Sequence, residues 1–382
     1  MTVSVDVAAR GGRLATMTRD HCPAGAAHRT RIERHTVVAA GLSELDDHQL
    51  RRLVDDAPTL GSGIGGTHTV VQVGDQSVFV KRVALTDLER EPGNVMSTAN
   101  LFGLPVACQY GVGSPSFGVW RELAANEMAT DWVLAGRSPN FPLMHHWRVL
   151  DGPVSDGPLS AELADADGFV AYWHGSSAVR RRIEAIDGSR ATLTFFFEYL
   201  PHGLEAWLGR QILAGEDAAN DAITMAGEHL QATVCFMNAA GLFHFDAHLG
   251  NVLTDGDQLY LADFGLATSP GFALSDPEAE FLADNLSHDA CHSITRLVDW
   301  LVSELIGVAD RTARDAFIRA CAGDAHLVAH LPRAAAALIG RYAPVAVVIN
   351  DFYRRLHLED RTARYPVAEV RRACHAAGLE TL

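Results

Sequence analysis

At 382 residues, 48% hydrophobic and 20% charged, the chain has the composition of a packed globular protein rather than a disordered one. A formal net charge of −16 argues against a general nucleic-acid binder, which needs a basic face. No apolar run approaches the roughly 20 residues of a membrane span, and the first residues lack a secretory pattern. The six cysteines (Cys22, Cys108, Cys235, Cys291, Cys321 and Cys374) are scattered without a CxxC pair. Free thiols and a cytoplasmic location are therefore expected, with no nucleic-acid and no membrane partner.

Residues 1–40 show no periodic pattern and read as a poorly ordered arm. The stretch 43–56, SELDDHQLRRLVDD, predicts a helix capped by Ser43, with Leu45, Leu50, Leu53 and Val54 along one side. Pro58 stops it. Valine-rich runs on either side of Gly74-Asp75 predict a β-hairpin. A loop-like stretch over 84–117 leads to a helix, WRELAANEMATDWVLAG, and then to a strand, FPLMHHWRVL, at 141–150. His145 and His146 read as strand residues there. Residues 151–190 form an acidic, small-residue insertion with one helical piece, whose Arg180, Arg181 and Arg182 read as a solvated helix face. TLTFFFEYLP (192–201) is an apolar β run with core aromatics at Phe195–Phe197, and from 204 the pattern turns helical. Strand-rich sequence followed by helix-rich sequence predicts an α+β arrangement: a small β lobe over 41–200 and a larger helical lobe over 201–382, facing each other across a cleft.

The chemistry sits in a few short segments. Gly61, Gly63 and Gly66 fit G-x-G-x-x-G, a weak signal alone, shared by plain turns and dinucleotide folds. β sequence follows these glycines where a dinucleotide fold needs a helix, which favours a hairpin lid over phosphates. Lys81, in VFVKRV, is costly to bury unless an anion pairs with it. Glu122 and Glu127 are the candidates on the following helix. Five positions apart, they point about 140° from each other, so one of them faces Lys81, and Glu122 is the favoured partner. Residues 241–267 read GLFHFDAHLGNVLTDGDQLYLADFGLA. His244, Asp246 and His248 could in principle converge on a metal, as in some metal hydrolases or oxygenases. That reading leaves Asn251, Asp263, the glycines and Lys81 unused. A phosphoryl-transfer site uses all of them: Asp246 as base toward a hydroxyl, and Asn251 and Asp263 as magnesium ligands bridging the phosphates of ATP.

In these motifs the chain resembles the protein kinase-like superfamily over roughly residues 58–380. The resemblance implies a bilobal kinase fold with ATP in the cleft, Glu198 and Leu200 as hinge positions whose backbone meets the adenine, and Phe197 as gatekeeper. It also implies that Asp289 supports the catalytic loop from a core helix. The pattern is a hybrid. HxDxHxxN, with Phe245 and His248 where protein kinases carry arginine and lysine, is the form seen in aminoglycoside and other small-molecule kinases. His248 can still donate to a phosphate or to the attacking hydroxyl. The DFG triplet is protein-kinase-like, and Asp276-Pro277-Glu278 stands where an APE-like motif would fall. Phe79 and His68 occupy positions where alanine and valine usually lie. Without the arginine, no activating phosphorylation is expected. The chain also resembles stand-alone bacterial kinase-like proteins, some of which act on peptides. The expected activity is transfer of the γ-phosphate of ATP, with Mg2+, to Ser or Thr of a protein or peptide. The alternatives are a small-molecule hydroxyl acceptor, or a pseudokinase-like module that binds nucleotide without turnover. The acidic surface would suit a basic partner.

Overall fold

A computed structural model describes residues 23–63, 65–111, 113–154 and 165–379. The fold is mixed α+β. Five strands, β1 (Thr59–Gly63), β2 (Gly66–Val73), β3 (Gln76–Ala84), β4 (Met144–Asp151) and β5 (Ala191–Glu198), form an antiparallel sheet in the order β1-β2-β3-β5-β4. Val73 pairs with Gln76 across the Gly74-Asp75 turn, so the hairpin has the expected register.

Alternation along the strands decides which side chains meet which helix. Val78 and Val80 of β3 and Phe196 of β5 face one side, packed with Val38 and Leu42 of helix α1 (Pro23–Ser43) and with Leu50 and Val54 of α2 (Asp47–Asp55). Val83, Phe195 and Phe197 face the other side, against Trp120 and Leu123 of α4 (Val119–Leu134), which follows the one-turn α3 (Asp87–Arg90). Lys81 shares this second face by parity, and it therefore points toward α4.

Two expectations need correction here. Residues 23–40 are not an arm: they belong to α1, which covers the back of the sheet, while residues 1–22, Cys22 among them, lie outside the described residues. Ser43 ends α1 instead of capping the next helix. Asp46 is the cap of α2, accepting the Gln49 N–H at 2.8 Å while Gln49 Oε1 accepts the Asp46 N–H at 2.9 Å.

The segment between β4 and β5 carries the helices Ala166–Tyr172 and Ser177–Asp187. Residues 155–164 of the expected insertion lie outside the described residues. The arginine run is not uniformly solvated either. Arg182 is fully buried, its Nη1 3.0 Å from Glu89 Oε2 and its guanidinium over the Phe102 ring. A buried charge needs such a partner, and Glu89 has no exposure through which water could replace Arg182.

Beyond Glu198 the chain forms a second, three-stranded sheet, β6 (His202–Gly203), β7 (Val252–Thr254) and β8 (Leu259–Leu261), and is otherwise helical. The helices Glu216–Ala239, His288–Ile306 and Arg333–Leu358 build the main core. Arg333–Leu358 is long and apolar enough to cross a membrane by length and composition. Its Ile339, Ala346, Ile349 and Phe352 are fully buried among the neighbouring helices. Cys108, Cys291, Cys321 and Cys374 are buried thiols.

Candidate active site

Lys81 is 4% exposed and would be costly to bury alone. Its Nζ lies 2.7 Å from Glu122 Oε1 on α4 and 2.7 Å from Asp263 Oδ1, which follows β8. Burial works against the ammonium, but Asp263 and Glu122 outweigh it and hold Lys81 above the ordinary lysine pKa. Asp263 responds in kind: burial pushes its carboxyl up, and Lys81 pulls it well below the usual range. For Glu122 burial wins, and its pKa is raised despite Lys81. Glu127, further along α4, takes a hydrogen bond from Trp147 instead. The choice between the two glutamates is thus resolved toward Glu122. Glu122→Gln should cost about 2 kcal/mol in urea unfolding, since Asp263 still compensates Lys81. Glu127→Gln should cost less than about 1 kcal/mol.

The expected glycine segment closes over this lysine. Gly63 pairs with Gly66 at the end of the β1–β2 hairpin, and a Cβ on Gly65 would stand 3.7 Å from Lys81 Nζ. Gly66 is obligatory for a local reason: at φ 114° a Cβ there would collide with the Arg82 carbonyl oxygen at 1.9 Å. Gly61 has open space around it.

The loop bearing Asp246 is held from below. Asp289, fully buried on the helix His288–Ile306, accepts the backbone N–H of His244 at 2.6 Å and of Phe245 at 2.8 Å, and Asn238 Nδ2 at 2.9 Å. Phe245 sits at φ 62°, a left-handed conformation that a bulky residue adopts only when its surroundings hold it. His244 is fully buried. Its Nδ1 accepts the Asp246 N–H at 3.2 Å, which assigns the ring proton to Nε2, 2.9 Å from the Ala262 carbonyl. Both ring nitrogens are therefore used by the backbone. Among the described residues no group of three His, Cys, Asp or Glu side chains gathers as a metal cage.

Asp246 itself stays partly open, with 30% of its side chain exposed. Burial, then the charge of nearby Asp263, push its carboxyl up to about 8. Asn251 Nδ2 donates to the Asp246 carbonyl at 2.9 Å and lies 3.4 Å from Asp246 Oδ2. His248 Nδ1 accepts the Gly250 N–H at 3.0 Å, and its Nε2 lies 3.7 Å from Asp246 Oδ2, outside direct bonding range. Burial, then His244, lower the His248 pKa, so the ring is neutral near pH 7.

Two cavities meet these groups. One of about 330 Å³ runs from Leu60, His68, Phe79 and Phe197 past Glu198 and Leu200 to Lys81, Asn251 and Asp263. The unusual pair Phe79 and His68 pack with their ring centroids 5.4 Å apart and their planes tilted by 37°, and form part of its wall. The other, about 190 Å³, lies under Gly65 and joins Lys81 and Asp263 to Asp246. Apolar walls leading to a polar end with one ammonium and two carboxylates can take a flat base and a polyanionic tail. The side-chain oxygens of Asn251 and Asp263 are hard donors of the kind magnesium prefers.

Two contributors, Arg31 and Gly111, escaped the sequence, and Glu278, which the sequence offered, has an unexpected partner in Arg121. Arg31 of α1 grips Glu198, its Nε 2.9 Å from both carboxylate oxygens and its Nη2 2.6 Å from Oε2. Gly111, at φ 77°, brings its backbone against Asp246, where a Cβ would stand 2.8 Å from Oδ1. Glu278, of the expected Asp276-Pro277-Glu278, accepts buried Arg121 Nη2 at 2.7 Å and so ties α4 to the helix Asp276–Asp284. A stripe of mixed polarity and a lone glycine are the signals these left in the sequence.

A scan against models of known protein families finds no match for the chain, and a search of curated proteins finds none either.

Proposed function

We propose that the chain is an ATP-dependent phosphotransferase of the protein kinase-like superfamily, with a bilobal kinase-like fold and its nucleotide between the sheet and the helical part. The observation that carries this reading is Lys81, held at 2.7 Å by both Glu122 and Asp263 beneath a glycine hairpin, where the cavity lined by Asn251 meets the cavity lined by Asp246.

Each residue then has a task. The walls at Leu60, Phe79, Phe197 and Leu253 would take the adenine. The Glu198 N–H is already donated to the Leu143 carbonyl at 2.8 Å, which leaves the Glu198 carbonyl and the Leu200 backbone to face the base. Gly61, Gly63 and Gly66 let the hairpin backbone approach the phosphates, and Lys81 would pair with the α- and β-phosphates. Asn251 and Asp263 would hold magnesium, which neutralises charge on the phosphates when bound. Asp246 would accept the proton of the attacking hydroxyl, with Asn251 fixing its loop and His248 placed to donate to the transferring group. The acceptor is a hydroxyl, from a Ser or Thr side chain or from a small molecule. Cytoplasmic ATP would supply the reaction.

The test is incubation with γ-labelled ATP and magnesium, offering serine and threonine peptides beside hydroxylated small molecules, with Asp263→Ala in parallel. Transfer that falls by on the order of 10³-fold in the variant supports the reading. Tight nucleotide binding without any turnover would leave a binding module instead.

A further inference from the structure

Asp246 borders a third cavity, of about 520 Å³, on the side away from Lys81. Its wall is built by the helices His288–Ile306, Arg311–Gly323 and Arg333–Leu358, and no motif pointed to it. Two guanidiniums stand in this wall. Arg296 Nε donates to His292 Nε2 at 3.0 Å, its Nη1 lies 3.0 Å from Asp299 Oδ2, and its guanidinium carbon lies over the Tyr353 ring, 5.1 Å from the centroid. Arg314 Nη2 lies 3.6 Å from the same Asp299 oxygen and 3.5 Å from Asp315 Oδ1.

Three carboxylates line this cavity, Asp246, Asp299 and Glu205, and the one beside the arginines is already committed. Asp299 is 3% exposed, shares Oδ2 between both arginines, and accepts Asn350 Nδ2 at 2.8 Å through Oδ1. Glu205 stands exposed at the rim. The histidines carry no compensating charge. Burial, then Arg311, Arg361 and Arg296, lower His357 to about 4, and burial followed by Arg296 holds His292 well below its usual value. The arginines are also preorganised: Arg296 is fixed at two nitrogens and one face, with Nη2 making no hydrogen bond among the described residues.

We infer that this cavity is the acceptor site of the proposed phosphotransferase, and that its acceptor is a small hydroxylated compound carrying a carboxylate or phosphate group recognised by Arg296 and Arg314. A held guanidinium matches the planar, two-oxygen edge of such a group better than it matches a neutral hydroxyl. An ammonium in the same place would face two like charges whose nearest carboxylate, Asp299, is already shared between them. The volume lies within the range of small-molecule pockets. The anion would anchor the compound on the arginines and leave a hydroxyl at Asp246, the residue this cavity shares with the Lys81 side.

The inference rests on the phosphotransferase reading for its chemistry, and a direct binding measurement separates the two. The full chain is titrated by calorimetry with four probes on one scaffold: glucose 6-phosphate, glucuronate, glucose and glucosamine. A magnesium–ATP analogue is titrated on the same sample. At least one of the two anionic probes is expected to bind about tenfold or more tighter than glucose, and glucosamine more weakly than glucose. Comparing phosphate with carboxylate identifies which anion is read. Arg296→Gln should abolish the preference, and Arg296→Lys should restore part of it, which a merely misfolded cavity would not do. With labelled ATP, the loss in Arg296→Gln should appear in KM for the acceptor, with kcat changed less. Equal binding of the four probes, or tighter binding of glucosamine, overturns the assignment, as does preferred label transfer to a cationic or neutral acceptor. Anion preference without any nucleotide binding keeps the anion site and removes the phosphotransferase reading instead.

Discussion

Asp246→Asn is expected to reduce phosphate transfer by on the order of 10²–10⁴-fold while leaving nucleotide binding nearly intact, because the amide keeps the shape but cannot take a proton. The pH dependence gives a sharper version of the same test. With the carboxyl up at about 8, little of the free protein has the ionised base at pH 6. kcat/KM for ATP should climb close to tenfold per pH unit toward a plateau above about pH 8, since that ratio reports the free protein. A profile already flat at pH 6 would sink the assignment of Asp246 as base. Stability should move the opposite way. An unfolded Asp titrates near 3.9, so between about pH 4 and 8 the folded state keeps a proton that the unfolded chain releases, and stability falls as pH rises through that window. Asp246→Asn removes that penalty. Thermal unfolding should show the variant gaining on wild type by about 2 °C or more at pH 8, and by less at pH 5. A variant that is less stable and inactive at every pH would point to a structural role.

The second large effect is expected at Asp289. Asp289→Ala leaves the N–H groups of His244 and Phe245 and the Asn238 amide without their acceptor in a site closed to water. At about 1–3 kcal/mol for each buried donor left unmatched, the total comes to about 4 kcal/mol or more, and urea unfolding should register it. Phe245 also loses what holds its left-handed backbone. The Asp246 loop should relax, so activity is lost together with stability, unlike in Asp246→Asn. Burial raises the Asp289 pKa, but His288 and His244 outweigh it and the net shift is downward. A depressed carboxyl contributes stability above its unfolded pKa and loses that contribution as pH falls through the folded one. The gap between wild type and Asp289→Ala should therefore be full at pH 7 and shrink below about pH 4. A loss below about 1 kcal/mol at pH 7 would show that the loop is held elsewhere.

What could be read from the sequence follows from how locally each feature is encoded. Asp246, Asn251 and Asp263 lie within one short segment, and phosphoryl-transfer chemistry constrains their spacing, so their grouping was legible. Glu122 was separable from Glu127 because helix geometry sends residues five apart to different faces. The hairpin around Gly74-Asp75 was legible because valine-rich runs flank a two-residue turn. α1 was not legible, because the stripe that docks it runs through Arg31, His35, Val38 and Leu42. Half of that stripe is polar, with Arg31 on Glu198 and His35 Nδ1 2.9 Å from His145 Nδ1, so hydrophobic periodicity gave no sign of it. Arg182 looked like part of a solvated run because the carboxylate that buries it, Glu89, is 93 positions away. The arginine cavity went unread for the same reason. Its wall comes from three helices that only packing brings together.

The grip of Arg31 on Glu198 also has a consequence in time. The two residues are 167 positions apart. At about 5–20 residues per second, synthesis separates their emergence by roughly 8–30 s. Through that interval α1 lacks its ionic partner and the sheet that Val38 and Leu42 cover is incomplete, since β5 is still to come. The Glu198 end of the cavity is therefore closed by a contact between the first helix described and the last strand of the main sheet. A nascent chain halted before residue 198 can form the β1–β2–β3 hairpins, but it has no strand on which to complete this end of the site. The cavity is assembled late, and its long-range closure places its formation among the slower steps of folding.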